Sequence, residues 1–282
     1  MPNPHLPAET LDHIVGYLHD TEDALRSCCL VSKSWLPRTR KHLFVNIELP
    51  TEESLELWQE TFPDPSTSPA RYTKILFVGC LYVVTAADAD AHGWIRVFSS
   101  VEHLEVGTRI QDFSGSATPL APFYGFSPTV KSLRIVFPFL PSPQVFDLIL
   151  SFPLLEDLTV IVTYNVPIDS GDGSDWLPTT AQPSIPPMFT GSLELQGGGM
   201  KHLTRRLLSL PDGIHFRELT LRWLREEDLS LTTALVQNCS RTLESLNTTW
   251  NFLSRSIEHL LSNRRLTTIP RWVDRPLKSD ET

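Results

Sequence analysis

A short apolar phrase returns along most of this chain at nearly constant spacing, and no other feature narrows its possible folds as much. The phrase is an apolar residue, two variable ones, a Leu or Ile, one variable residue and a second apolar one. It reads Phe44/Ile47/Leu49, Tyr72/Ile75/Phe77, Val101/Leu104/Val106, Val130/Leu133/Ile135 and Leu155/Leu158/Val160. It continues as Leu193/Leu195, Phe216/Leu219/Leu221 and Leu243/Leu246, with Thr190 opening the sixth phrase and Thr248 closing the eighth. The central residues 47, 75, 104, 133, 158, 193, 219 and 246 are separated by 28, 29, 29, 25, 35, 26 and 27 residues. Period-2 alternation within the phrase marks a short strand, and the remainder of each unit is long enough to return the chain to the start of the next. A unit of this kind cannot bury its apolar side alone, so the units must stack. The expectation is an α/β solenoid with parallel strands on a concave face and helices on a convex one. Leucine makes up 41 of 282 residues, and this stacking explains where much of the excess goes.

Helices are expected between the phrases over Thr51–Phe62, Gln144–Phe152, Lys201–Leu210 and Glu226–Asn238, where apolar residues recur at helical spacing. The long gap, at about 163–188, is rich in Pro, Gly, Ser and Asp and reads as an inserted flexible loop. Residues 264–282 are polar, carry no repeat and read as a tail, so the repeat region is 45–263. The first 44 residues differ in kind. Leu11, Ile14, Val15 and Leu18 form one amphipathic stripe, Asp20 or Thr21 can cap a second helix carrying Leu25 and Cys28, and Ser32 can cap a third carrying Trp35, Thr39 and Leu43. Three short helices bury too little surface to be stable alone, so this unit needs the repeats or a partner.

Charge and motif content exclude several classes of function. With 24 Lys+Arg against 33 Asp+Glu the chain carries −9, which argues against nucleic acid or an anionic membrane as its partner. Residues 1–44 contain five acidic and five basic groups, so the net charge belongs to the repeats. The opening residues do not read as a secretory leader, no apolar run in the sequence reaches membrane length, and the four cysteines show no C-x-x-C, so the expectation is a protein of a reducing compartment, cytoplasmic and/or nuclear. Gly197-Gly198-Gly199-Met200-Lys201 has the strand-to-helix setting of a phosphate loop but lacks its G-x-x-x-x-G-K-[ST] pattern, so a tight turn is expected. Asp169, Asp172 and Asp175 have the wrong spacing for a calcium loop, and the histidines form no metal-ligand pair. Neither a catalytic constellation nor a cofactor or metal site is expected.

The residues flanking each central Leu or Ile would line the concave face: Asn46/Glu48, Lys74/Leu76, His103/Glu105, Ser132/Arg134, Asp157/Thr159, Ser192/Glu194, Glu218/Thr220 and Ser245/Asn247. Five are acidic and two basic, which suits a neutral or basic protein partner. His103, Glu105, Arg134, Asp157, Glu194 and Glu218 are the candidate substrate contacts on that face.

The segment LPAETLDHIVGYLHDTEDALRSCCLVSKSWLPRTRKHLF resembles an F-box, through Leu6-Pro7, Glu9, Ile14, Leu18, Leu25 and Leu30-Val31-Ser32-Lys33-Ser34-Trp35. Ser32 stands where the family commonly has Cys. The remainder is similar to the divergent leucine-rich repeats of fungal F-box families, most clearly in SFPLLEDLTV, GGGMKHLTRRLLSLP and HFRELTLRWLREEDL. The resemblance implies a three-helix F-box over 1–44 that binds a Skp-type adaptor, and through it a cullin, while the repeats capture a protein substrate. Such a chain is the non-catalytic substrate-recognition subunit of a Skp–cullin–F-box ubiquitin ligase. The alternative is a non-degradative F-box scaffold or a repeat-based interaction module. By position, Leu6, Pro7, Ile14, Leu18, Leu25, Val31 and Trp35 are the adaptor contacts the resemblance implies. Some of these must hold the helices together instead, Trp35 and Leu18 first among them.

Overall fold

In the computed structural model the described residues are 7–79, 94–107, 120, 123–124, 126–137, 143–163, 187, 189–224 and 228–250. Leu6, Cys80, the Asp169/Asp172/Asp175 triplet, nearly all of the expected loop and the tail fall outside them. Each apolar phrase forms a strand: β1 (Asn46–Leu49), β2 (Ile75–Val78), β3 (His103–Gly107), β4 (Ser132–Phe137), β5 (Asp157–Val162), β6 (Ser192–Gln196), β7 (Glu218–Leu224) and β8 (Ser245–Trp250). They make a single eight-stranded sheet in chain order, and every neighbouring pair is parallel. Strand and return segment therefore alternate in an α/β arrangement that is compatible with a solenoid.

Register fixes the core. Ile47, Leu76, Leu104, Leu133, Leu158, Leu193, Leu219 and Leu246 lie opposite one another across all eight strands and are all buried. A second row runs Leu49, Val78, Val106, Ile135, Val160, Leu195 and Leu221. Each such side chain contributes roughly 1.5–3 kcal/mol on burial, so the two rows are the main source of cohesion between strands. The second strand corrects the sequence reading. Its central residue is Leu76 and not Ile75, so Ile75 and Phe77 take the outward phase expected of Lys74 and Leu76. Ile75, Leu76, Phe77 and Val78 are all apolar, so alternation alone cannot choose between two phases one residue apart. Pairing with β1 and β3 makes the choice.

The return segments close the core from behind. They include α4 (Glu52–Thr61), α5 (Pro143–Leu150), α6 (Lys201–Leu208) and α7 (Leu229–Asn238). Val145, Leu148, Ile149 and Phe152 meet the sheet at helical spacing, as do Leu203 and Leu207 of α6. In the first layer, Trp58 packs edge-on to Phe44 and tilts against Phe62 and Phe98, with ring centroids 6.0, 4.7 and 5.5 Å away. The fourth expected helix starts at Leu229, later than Glu226. No helix among the described residues is long and apolar enough to cross a membrane.

Ahead of the sheet lie α1 (Ala8–Tyr17), α2 (Glu22–Val31) and α3 (Leu36–Leu43). The third helix begins later than a cap at Ser32 would allow. Ser32 follows the end of α2 and its hydroxyl bonds Ser34 Oγ at 2.7 Å, while Trp35 occupies the N-cap of α3. Leu11, Val15, Leu25, Cys28 and Thr39 are buried here, apart from the large core under the sheet. An ion pair of 2.7 Å between Arg38 and Asp12 ties α3 to α1. No loose linker separates this unit from the sheet. Phe44 packs on the first-layer aromatics, and the Val45 carbonyl already accepts from Lys74 N and Ile75 N.

Two backbone features at the end of the sheet break the repeat. Gly197 has φ +99°, and a Cβ there would run into the Val162 carbonyl, so the triple-glycine segment is a turn that only glycine can open. In β7 the register slips between Arg222 and Leu224, leaving Trp223 as the extra residue of a bulge with φ +54°. A left-handed non-glycine residue costs roughly 1–2 kcal/mol. Gly197→Ala is expected to lower stability by more than about 2 kcal/mol, because strain and a backbone collision add. Gly213→Ala, with φ +73° but open space around the new methyl, should cost only about 1 kcal/mol. Urea midpoints of the two variants would check this; equal losses would mean that the approach of Gly197 to Val162 is unimportant.

Candidate interaction surfaces

The helical unit leaves apolar side chains in solvent that its own packing does not use. α1 buries Leu11 and Val15, which turns Ile14 (36% exposed) and Tyr17 (75%) outward on a face one turn apart. α2 buries Leu25 and Cys28 and ends on Leu30 (88% exposed) and Val31 (63%). Four of the eight large apolar residues exposed among the described ones thus fall within these two helices, although the unit is a small part of the chain. An isolated exposed leucine is ordinary, but several in one small unit mark a surface that expects cover.

Of the implied adaptor contacts, Pro7, Ile14 and Val31 are exposed, and Leu18 and Trp35 are half-buried at the end of α1 and the start of α3. Leu25, 1% exposed, is instead a core residue of the helical unit and is not available to a partner. Its position on the Leu25/Cys28 stripe already points inward, and the same stripe turns Leu30 outward. Leu30 and Tyr17 belong to the exposed set but were not among the residues expected from sequence. Helical phase was the signal that could have found them.

The outward face of the sheet carries His103, Glu105, Arg134, Asp157, Glu194 and Glu218, as alternation from the buried row requires. Their roles differ. Glu105 lies opposite Arg134 with a contact of 3.5 Å, and Glu194 reaches Arg222 at 3.6 Å. Asp157 is a seam residue. Its Oδ1 accepts from both the backbone N and the Oγ of Ser192, each at 2.7 Å, across the longest gap in the repeat. Gly191 has no room for a Cβ because that carboxylate fills the space. His103 and Glu218 remain exposed. The acidic residues of the face are Glu48, Glu105, Asp157, Glu194 and Glu218; the basic ones are Arg134 and Arg222, the second replacing Lys74.

Lys74 belongs to another row. The backbone ladder extends one step before each strand, through Lys74, Glu102, Lys131, Glu156, Gly191, Arg217 and Glu244, each N–H donating to the preceding carbonyl of the series. Charge alternates along it, interrupted only at Gly191. Lys74 Nζ donates to Glu102 at 2.6 Å, which with the nearby Lys131 holds that carboxyl below its ordinary range, and Arg217 meets Glu244 at 3.9 Å.

The perturbed groups elsewhere sit on separate return segments. Burial pushes the Cys239 thiol up to about 11, which leaves it protonated and unreactive at neutral pH. Burial and the charge of Asp147 raise Tyr124 to about 12, while burial with Arg205 and Lys201 lowers His202. Among the described residues no three His, Cys, Asp or Glu side chains are placed to hold a metal ion.

Comparison of the chain with protein-family models, curated proteins and solved structures returns no match. The surfaces themselves are therefore what bears on function. Leu25→Ala should cost about 2–5 kcal/mol as a core truncation, and Leu30→Ala less than about 0.5 kcal/mol, because Leu30 is almost fully in solvent. Thermal or urea unfolding of the two variants distinguishes them; comparable losses would remove Leu30 from the exposed set.

Proposed function

We propose that this chain is the substrate-recognition subunit of a Skp–cullin–F-box ubiquitin ligase, with an F-box in its N-terminal helices and leucine-rich repeats in the stacked strands. The observation that carries the reading is the exposure of Ile14, Tyr17, Leu30 and Val31 on a helical unit too small to have other use for them. In this reading those groups, with Pro7, are covered by a Skp-type adaptor, which in turn engages a cullin. Leu25 and Thr39 hold the helices in the shape the adaptor meets. Phe44 and Val45 join that shape to the sheet without a linker, so a substrate held on the outward face keeps a defined position relative to the ligase. Ubiquitin transfer is the work of other subunits. This chain acts by proximity, raising the substrate's effective concentration at the transfer site.

Co-purification with a Skp-type adaptor tests the proposal. The intact chain should retain the adaptor, and Leu30→Asp/Val31→Asp should reduce recovery by about tenfold or more. Since both residues are exposed, its stability should fall by no more than about 1–2 kcal/mol, the cost of two carboxylates at the C-terminal end of α2, and the variant should remain folded. Failure of the intact chain to hold the adaptor, or equal recovery by the double variant, would overturn the reading.

A further inference from the structure

Trp223 stands apart from the repeat in three respects. It is the extra residue of the bulge in β7, its φ is +54°, and it is 48% exposed. Strict alternation would send Trp223 inward, after buried Leu219 and Leu221, and Leu224 outward. The bulge changes this: Arg222 is half-buried, Trp223 is exposed and Leu224 is buried. The chain thus adopts a backbone conformation disfavoured for tryptophan, and about half of the residue's surface is left in solvent. A strained residue left half in solvent is grounds for seeking a binding role.

The surroundings on the outward face define the partner. Thr220 lies opposite Asn247, and Arg222 lies opposite both Gln196 and Thr249, so the outward residues of β7 just before Trp223 face hydroxyl and amide groups. Arg222 is already matched by Glu194 at 3.6 Å, and Glu218 on the same strand remains exposed. Across the whole face five carboxylates outnumber two guanidinium groups. An indole on a surface with surplus negative charge suits a cationic side chain, which can stack on the ring while neighbouring cations meet carboxylates. We infer that Trp223 anchors a basic, extended peptide segment of the captured protein, with an Arg or Lys side chain over its indole and Glu218 taking a second cation. This rests on the reading of the outward face as the capture surface.

The test uses the full chain and fluorescent peptides of defined sequence: one alternating Arg or Lys with Leu, one with Glu in place of the cations, and one with Ser. Anisotropy titrations should show the basic peptide bound at least about tenfold more tightly than the other two. Trp223→Asn and Trp223→Gly, residues that accept a left-handed backbone, should each weaken that binding by about tenfold without lowering the melting temperature. Trp223→Phe should retain most of it, and Glu218→Lys should weaken it. Undiminished affinity in Trp223→Asn, a lower melting temperature in Trp223→Gly, or preference for the acidic peptide would overturn the inference, as would absence of binding to the basic peptide. Adaptor recovery measured on the same samples separates the two proposals. Adaptor without peptide sinks this inference alone, and peptide without adaptor sinks the ligase reading alone.

Discussion

Everything else in this molecule depends on in-register contact between one buried leucine and the next. A strand of four to seven residues such as β1 or β7 offers only two or three inward side chains. That is too little to repay the ordering of its backbone unless another strand covers its flank. Because the pairing is parallel, each strand must be followed by a return segment, and that segment supplies the second side of the same layer: Leu55 behind β1, Leu148 behind β4, Leu203 behind β6. Stability is then shared between neighbours, and no layer has a complete core of its own. The N-terminal helices join by the same rule, because Phe44 directly follows α3, lies two residues before β1 and is a member of the first aromatic layer.

Cohesion does not by itself determine register. The alternating series Lys74, Glu102, Lys131, Glu156 and Arg217, Glu244 supplies a second criterion at the opening of the strands. Exposed ion pairs of this kind add at most about 1 kcal/mol each, so they contribute little to stability. Their value is in what they disfavour. Sliding a strand along its neighbour would separate these opposite charges, whereas the observed register places them together. Gly191 interrupts the series where Asp157 needs the space, and there the hydrogen bonds to Ser192 do the aligning instead.

Sequence showed the fold wherever the alternation was unambiguous. Leu104, Leu133, Leu158, Leu193, Leu219 and Leu246 could be assigned inward because polar residues flank them on both sides. β2 could not, since Ile75 to Val78 are uniformly apolar and the phase depends on partners distant in sequence. The helical unit was readable to the same degree. Of the stripe Leu11, Ile14, Val15 and Leu18 only Leu11 and Val15 are core, and the resemblance assigned Leu25 to a contact role that its burial denies. On the outward face, sequence placed Glu105, Arg134, Asp157 and Glu194 together but could not distinguish their roles. Whether a carboxylate is paired, as Glu105 is, or fixed to a backbone N–H, as Asp157 is, depends on neighbours one strand away.

A regular repeat makes its own exceptions informative, because each one can be asked what local packing it serves. The long step between β5 and β6 is bridged by Asp157 and Ser192. The left-handed Gly197 allows the chain to pass the Val162 carbonyl, and its N–H is taken by Arg222 O at 2.9 Å. Both exceptions are answered by contacts within the fold. The bulge in β7 is answered only in part. It returns Leu224 to the core, yet a smaller residue at 223 would allow the same slip with less backbone strain and without an exposed ring. Tryptophan at that place therefore combines a backbone cost with an indole left about half in solvent, a combination that the return of Leu224 to the core does not by itself require.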